Sequence, residues 1–176
     1  MSNIKAWLDF ERPKYEEMFN NRKLTHDIFK EWVKELEIKS ALEIGGGLSQ
    51  HKALFKHYLN IDINKNLKED YNINEDFLNY RTKKKYELVF SHAVLDHIKN
   101  PNEFILKSIR ISKKYVFHSI YRGLQRQSLN HLHPIIDKNN YLYNQLSEFE
   151  IKRLLKDFNS TIIKLSNKNV ILIVKH

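Results

Sequence analysis

Ser40-Ala41-Leu42-Glu43-Ile44-Gly45-Gly46-Gly47-Leu48-Ser49 decides the fold. A short strand candidate, Ser40–Ile44, runs directly into three consecutive glycines, and the whole chain has only 4. Glycine takes positive φ without penalty and lets a ligand approach bare backbone. A strand ending on such a cluster ahead of a helical segment predicts a ligand-binding turn, with the helix N-terminus offering unpaired N–H groups. That helix is expected from Ser49 to His57. Further strands are expected at Tyr58–Ile63, Asn72–Asn74, Tyr86–Ser91 and Lys114–Ile120, with helical segments Ala93–His97 and Glu103–Ile111 after the fourth. Ser147 opens another helix through a capping box with Glu150, running to Phe158. Strands Ser160–Leu165 and Asn169–Lys175 close the chain around an Asn167-Lys168-Asn169 turn.

Strands alternating with helices imply a parallel sheet with right-handed crossovers. The last two strands have no helix between them, so one runs antiparallel. The expected class is therefore α/β: a doubly wound, seven-stranded sheet, mostly parallel, with an antiparallel C-terminal hairpin strand. Residues 1–38 carry two helical patterns and form an N-terminal lid of the same domain. In the second pattern Leu24, Ile28, Trp32, Val33 and Leu36 recur at helical spacing behind a Thr25 cap. Trp7, Phe10, Trp32 and Phe158 are expected in the core. Residues 39–176 form the core domain, and the weakly periodic stretch 121–146 is its substrate loop.

At 176 residues the chain fits one domain. It has no cysteine, which excludes disulfides, Cys-ligated zinc, iron–sulfur clusters and thiol nucleophiles. No apolar run reaches a membrane span, and the first residues lack an apolar signal core, so a cytoplasmic protein is expected. The net charge of +9 comes from 30 Lys+Arg against 21 Asp+Glu, but only 7 of the 30 are Arg. Nucleic-acid readers lean on Arg for bidentate contacts. The charge is thus a weak pointer to a polyanion.

Asp62 stands nineteen residues past Glu43 at the end of the second strand, where an acidic side chain can grip ribose hydroxyls in doubly wound folds. Together these residues resemble a known family, the class I S-adenosylmethionine-dependent methyltransferases of Rossmann-like fold. Glu43-Ile44-Gly45-Gly46-Gly47-Leu48-Ser49 looks like that family's acidic-x-Gly-x-Gly-x-Gly loop, with Ser49 in place of the third glycine. Leu59-Asn60-Ile61-Asp62-Ile63 looks like its second-strand motif, and Glu75-Asp76-Phe77 like the segment after strand three. Tyr86-Glu87-Leu88-Val89-Phe90-Ser91-His92-Ala93-Val94-Leu95-Asp96-His97 resembles its fourth-strand signature, with Glu87 where an Asp is usual.

The resemblance implies S-adenosylmethionine as cofactor and S-adenosylhomocysteine as product. It implies Glu43, Gly45, Gly46, Gly47, Asp62, Ile63, Asp76, Phe77 and Ser91 as cofactor-binding residues, with Asp62 on the ribose, Ile63 on the adenine and Asp76, or its neighbour Glu75, on the adenine amino group. Methyl transfer is an in-line displacement that asks the protein for positioning, desolvation and sometimes a base. His92, His118 and His133 are the candidate bases, and no metal site is expected. Arg12 and Tyr15 are candidates to close over the methionine moiety. Tyr121, Arg122, Arg126, His131, His133, Tyr141 and Tyr143 in the 121–146 stretch suit a small polar or anionic acceptor. The first expectation is O-methylation of a small molecule by a chain that is a candidate homodimer. An RNA or protein methyltransferase and a non-catalytic binder of the same cofactor stand as alternatives.

Overall fold

Strands β1 (Ser40–Ile44), β2 (His57–Asp62), β3 (Asn72–Asn74), β4 (Tyr86–His92) and β5 (Ser112–Ile120) pair in parallel. In this computed structural model, residues 16, 23–136, 142–166 and 168–176 are described. Trp7, Phe10, Arg12, Tyr15, Tyr141 and Asn167, and with them the first helical pattern, lie outside the described residues. The expected sheet forms: seven strands in the order β3-β2-β1-β4-β5-β10-β9. β10 (Val170–Lys175) runs antiparallel to both β5 and β9 (Asn159–Lys164). β1 hydrogen-bonds to both β2 and β4. The strand order reverses there, and in such sheets ligands bind outside the carboxyl ends of the strands at this reversal.

Alternation along the strands sorts side chains to two buried faces. Leu88 and Phe90 of β4, Phe117 of β5 and Ile171 and Ile173 of β10 pack with Phe29 and Val33 of α1 (Lys23–Lys34). Val89, Val116 and Leu172 face the other way, against Phe104, Ile105 and Ile109 of α2 (Pro101–Ile111) and Ile151 of α3 (Glu148–Leu154). The Asn100 side chain accepts from Glu103 N at 3.2 Å and Pro101 fills the first turn, so α2 starts sharply. Ser147 Oγ caps α3 through Glu150 N at 3.1 Å.

Four local expectations are corrected. The helix over Ser49–His57 does not form: Ser49 sits at φ 54, a single 3-10 turn spans Lys52–Leu54, and Phe55 is already extended. Nine residues are too few to hold a helix without a packed face, and His51 is spent on a buried polar contact instead. The glycine turn therefore leads into no helix, and no helix dipole acts on it. After β4, Ala93–His97 is reduced to a 3-10 turn, Leu95–His97. The stripe of α1 is rotated: Thr25, His26, Phe29 and Val33 are buried, while Leu24 is 44% exposed. α3 stops at Leu154, leaving Phe158 exposed. Within 121–146 the chain is more regular than its weak period implied. β6 (Leu124–Gln125), β8 (Leu142–Ser147) and β7 (Leu132–Ile136) form a small second sheet, joined to the turn after β4 where buried Asn144 donates to Ile98 O.

Candidate active site

Gly45 and Gly47 take φ of 67° and 52°, and the Gly45 amide continues the ladder to Ile61 O at 2.7 Å. A Cβ on Gly45 would stand 2.6 Å from Val94 Cγ2; one on Gly46 would stand 2.6 Å from Glu43 Cδ. Side chains are excluded at both places. The next strand ties the turn down. Asn60 Oδ1 accepts from Gly46 N at 2.9 Å, and Asp62 Oδ2 accepts from Gly47 N at 3.0 Å. Asp62 Oδ1 takes Asn64 N at 2.9 Å. Burial holds the Asp62 carboxyl above the usual carboxylate range, against the amides that pull it down. Ile63, beside it, is half-buried.

Glu43 is buried, and both its oxygens are bonded within the protein. Oε1 stands 3.0 Å from His51 Nδ1, and Oε2 accepts from the Tyr58 hydroxyl. Burial and the Glu43 charge push the Tyr58 phenol up, so it remains a neutral donor. At the far side of the cradle, Asp76 Oδ1 accepts from Leu78 N at 2.9 Å, and Phe77 is in the core against Phe104. Lys107 of α2 clamps this turn, donating to Phe77 O at 2.5 Å, Tyr80 O at 2.7 Å and Leu78 O at 2.9 Å. Burial and the nearby Arg81 and Arg110 hold the ammonium's pKa below its ordinary value. Glu87 accepts from Lys39 N and Ser40 N and pairs with Lys114, fixing the start of β1; its pKa falls to about 2, chiefly through the Lys114 bond.

The register at the carboxyl ends of β4 and β5 divides the expected histidines. Ser91 pairs with His118 and His92 with Ser119. Ser91 Oγ lies 2.8 Å from His118 Nδ1 on the α2 face, and His92 Nδ1 lies 3.1 Å from Ser119 Oγ on the α1 face. His92 is buried against the rings of His26 and His51, at centroid distances of 4.3 and 4.7 Å. The turn after it is sharp, with Ala93 at φ 52. His118 is wholly buried, and desolvation lowers its pKa to about 3.

The unfolded chain binds a proton near the ordinary 6.5 while the folded one does not, so stability falls as pH drops below 6.5. His118→Asn is expected to flatten the acid limb of a denaturation-versus-pH curve, by roughly 2 kcal/mol near pH 4.5–5. An unchanged limb would contradict the burial of a neutral imidazole there.

Beyond β5 the chain opens a pocket of about 510 Å³ lined by Tyr121, Arg122, Gln125, Tyr143, Lys168 and Asn169 among others. The Arg122 guanidinium lies 3.5 Å over the Tyr143 ring. Asp96, buried in the turn after β4, accepts from Tyr121 N at 2.9 Å and Arg122 N at 3.3 Å and so anchors the pocket wall to the switch-point strand. The expected loop residues separate. Arg122, Tyr121 and Tyr143 line the pocket, whereas Arg126 is exposed beside Glu148 and His131 is bonded to Asn102 and the Ser147 amide. The side chain of His133 is outside the described residues. His26, His51, Tyr58 and Asp96 were given no role by sequence reasoning; their partners lie 25, 8, 15 and 25 or 26 residues away, and only the fold joins them.

No protein-family profile and no curated protein matches this chain. Solved structures do. Magnesium protoporphyrin IX methyltransferase from Synechocystis PCC 6803 with bound SAM aligns over 92% of this chain and 82% of its own, at 15% identity and TM-score 0.64. DesVI of Streptomyces venezuelae aligns over 92% and 96%, at 10% identity and TM-score 0.66. This is the fold of the S-adenosylmethionine-dependent methyltransferases. The Burkholderia thailandensis 1,6-didemethyltoxoflavin-N1-methyltransferase, solved with bound 1,6-didemethyltoxoflavin and S-adenosylhomocysteine, also shares this fold. It covers 96% of this chain and 93% of its own, at 10% identity and TM-score 0.56. On this methyltransferase fold the glycine turn and Asp62 stand at the strand reversal. The carboxylate there keeps acceptor capacity beyond the two amides it binds, so these residues fit a donor carrying ribose hydroxyls.

Proposed function

We propose that this chain is an S-adenosylmethionine-dependent methyltransferase that methylates an oxygen of a small polar or anionic acceptor. The observation that carries the proposal is the glycine turn at the strand reversal, joined by a hydrogen bond to the strand-end carboxylate of Asp62. The donor supplies an activated methyl group on a sulfonium, and the protein's task is placement. Asp62 takes the ribose hydroxyls, Ile63 packs on the adenine, and the Asp76–Phe77 turn held by Lys107 borders the ring. The Gly45–Gly47 turn, packed on Val94 and Glu43, borders the remainder. Glu43 contributes by holding the turn from behind, since its oxygens are bonded to His51 and Tyr58.

The pocket beyond β5 is where we place the acceptor. Two cations, Arg122 and Lys168, and the aromatic wall of Tyr121 and Tyr143 suit an anionic group on a compact molecule. The Synechocystis and Burkholderia proteins, by their names, also methylate small molecules. No single base is assigned. His118 is sealed and neutral, and His92 is engaged with Ser119, His26 and His51.

A panel of anionic and neutral small hydroxyl compounds, assayed for S-adenosylhomocysteine release, tests the proposal. Turnover confined to RNA or protein substrates, or absent although the donor binds, would point to the alternatives. With an active anionic acceptor, Arg122→Ala is expected to raise its KM roughly 10- to 100-fold while kcat changes little. An unchanged KM would remove Arg122 from acceptor binding.

A further inference from the structure

We propose that His26, His51 and His92 form a binding site for one divalent transition-metal ion, with zinc the best chemical fit. The three residues come from α1, from the segment after the glycine turn and from the last position of β4. Their exposures are 5, 1 and 8%. One ligand atom from each lies within 4.8 Å of the others, and His26 Nδ1 is 3.0 Å from His51 Nε2. Nitrogens bound to one tetrahedral zinc stand about 3.4 Å apart, so modest ring rotations bring all three onto a common ion.

Second-sphere chemistry supports the assignment independently of the cluster. Glu43 Oε1 stands 3.0 Å from His51 Nδ1, an arrangement that in the Nδ1–H tautomer leaves the lone pair on Nε2, the nitrogen facing His26. A buried carboxylate behind a histidine in this way fixes the tautomer and strengthens the ring as a ligand. Its negative charge also offsets part of the ion's. Ser119 braces the His92 ring from β5 at 3.1 Å. Phe29, Phe90 and Phe117 pack on the His51 and His92 rings with centroids 4.9 to 6.0 Å away. Imidazole ligands in an apolar shell suit zinc, copper, iron or nickel and not the oxygen-seeking calcium or magnesium. Three protein nitrogens leave one position in a tetrahedral shell. The site adjoins the glycine turn through Glu43 but stands apart from the donor proposal, and either can fail without the other.

Cobalt(II) is the probe, because its visible absorption reports coordination. Titration of the wild-type chain is expected to saturate at one ion per chain and to be reversed by zinc. His26→Gln and His92→Gln should each weaken cobalt binding tenfold or more, while His57→Gln, on an exposed ring, leaves it unchanged. A readout without variants is heteronuclear NMR of the imidazole nitrogens of the wild type. Zinc should shift those of His26, His51 and His92 and leave His57 in place. Absence of a saturating ion, undiminished binding in the His26 and His92 variants, or shifts confined to exposed histidines would each overturn the site.

Discussion

Asp62→Ala is expected to weaken binding of S-adenosylmethionine and S-adenosylhomocysteine by about 100- to 1000-fold. The substitution removes a carboxylate proposed to take two hydroxyls, and at the lower end of the range for charge-assisted hydrogen bonds each contributes about 1.5–2 kcal/mol. It also leaves the Gly47 and Asn64 amides without their acceptor, so some loss of thermal stability should accompany it. Asp62→Asn separates the two effects. The amide can still accept from one of those N–H groups but carries no charge, so stability should recover further than donor affinity. Calorimetric titration of both variants beside thermal melts measures each quantity. Donor affinity equal to wild type in Asp62→Ala would remove the ribose assignment. Because burial raises the Asp62 pKa, donor affinity should also climb with pH as the carboxyl ionises, starting above the usual aspartate range.

Lys107→Met is the second large effect. Lys107 is 8% exposed as a residue, and its ammonium donates to three carbonyls of the turn that follows β3. Removing it strands those acceptors beside an apolar side chain, at a cost of about 2–4 kcal/mol. Because that turn carries Asp76 and Phe77, the loss should also appear as weaker adenosine binding, with faster amide exchange at residues 76–80 than elsewhere. A variant with wild-type stability and unchanged exchange would show that α2 and the turn hold together by the Phe77–Phe104 contact alone.

Much of the frame is legible because the signals that build it are local. Three glycines after a strand, apolar runs at 88–90 and 170–174 and the Ser147 cap each act within a few residues, and the sheet, its strand reversal and its antiparallel end follow. Several of the departures share a cause in polar residues drawn inward by distant partners. His26 turns α1 by about one position because it meets His51, and His51 meets Glu43, so the segment after the glycine turn becomes a tether where local pattern reads helix. Asn144 and Asp96 likewise organise the 121–146 region through contacts to the turn after β4 and to backbone 25 or more residues away. No spacing rule on one sequence exposes pairs that far apart. The turn and strand end proposed for the donor are local features that a sequence displays; the pocket proposed for the acceptor depends on such long-range contacts.

The edge formed by the glycine turn and Asp62 is proposed to hold the methyl donor. A co-crystal structure of the wild-type chain grown with saturating S-adenosylhomocysteine tests it most directly. The expected result is the nucleoside lying outside the carboxyl ends of β1 and β2, its ribose hydroxyls on the Asp62 carboxylate. Ligand density elsewhere, or a chain that stays empty at saturating ligand with Asp62 still bonded only to Gly47 and Asn64, would contradict it.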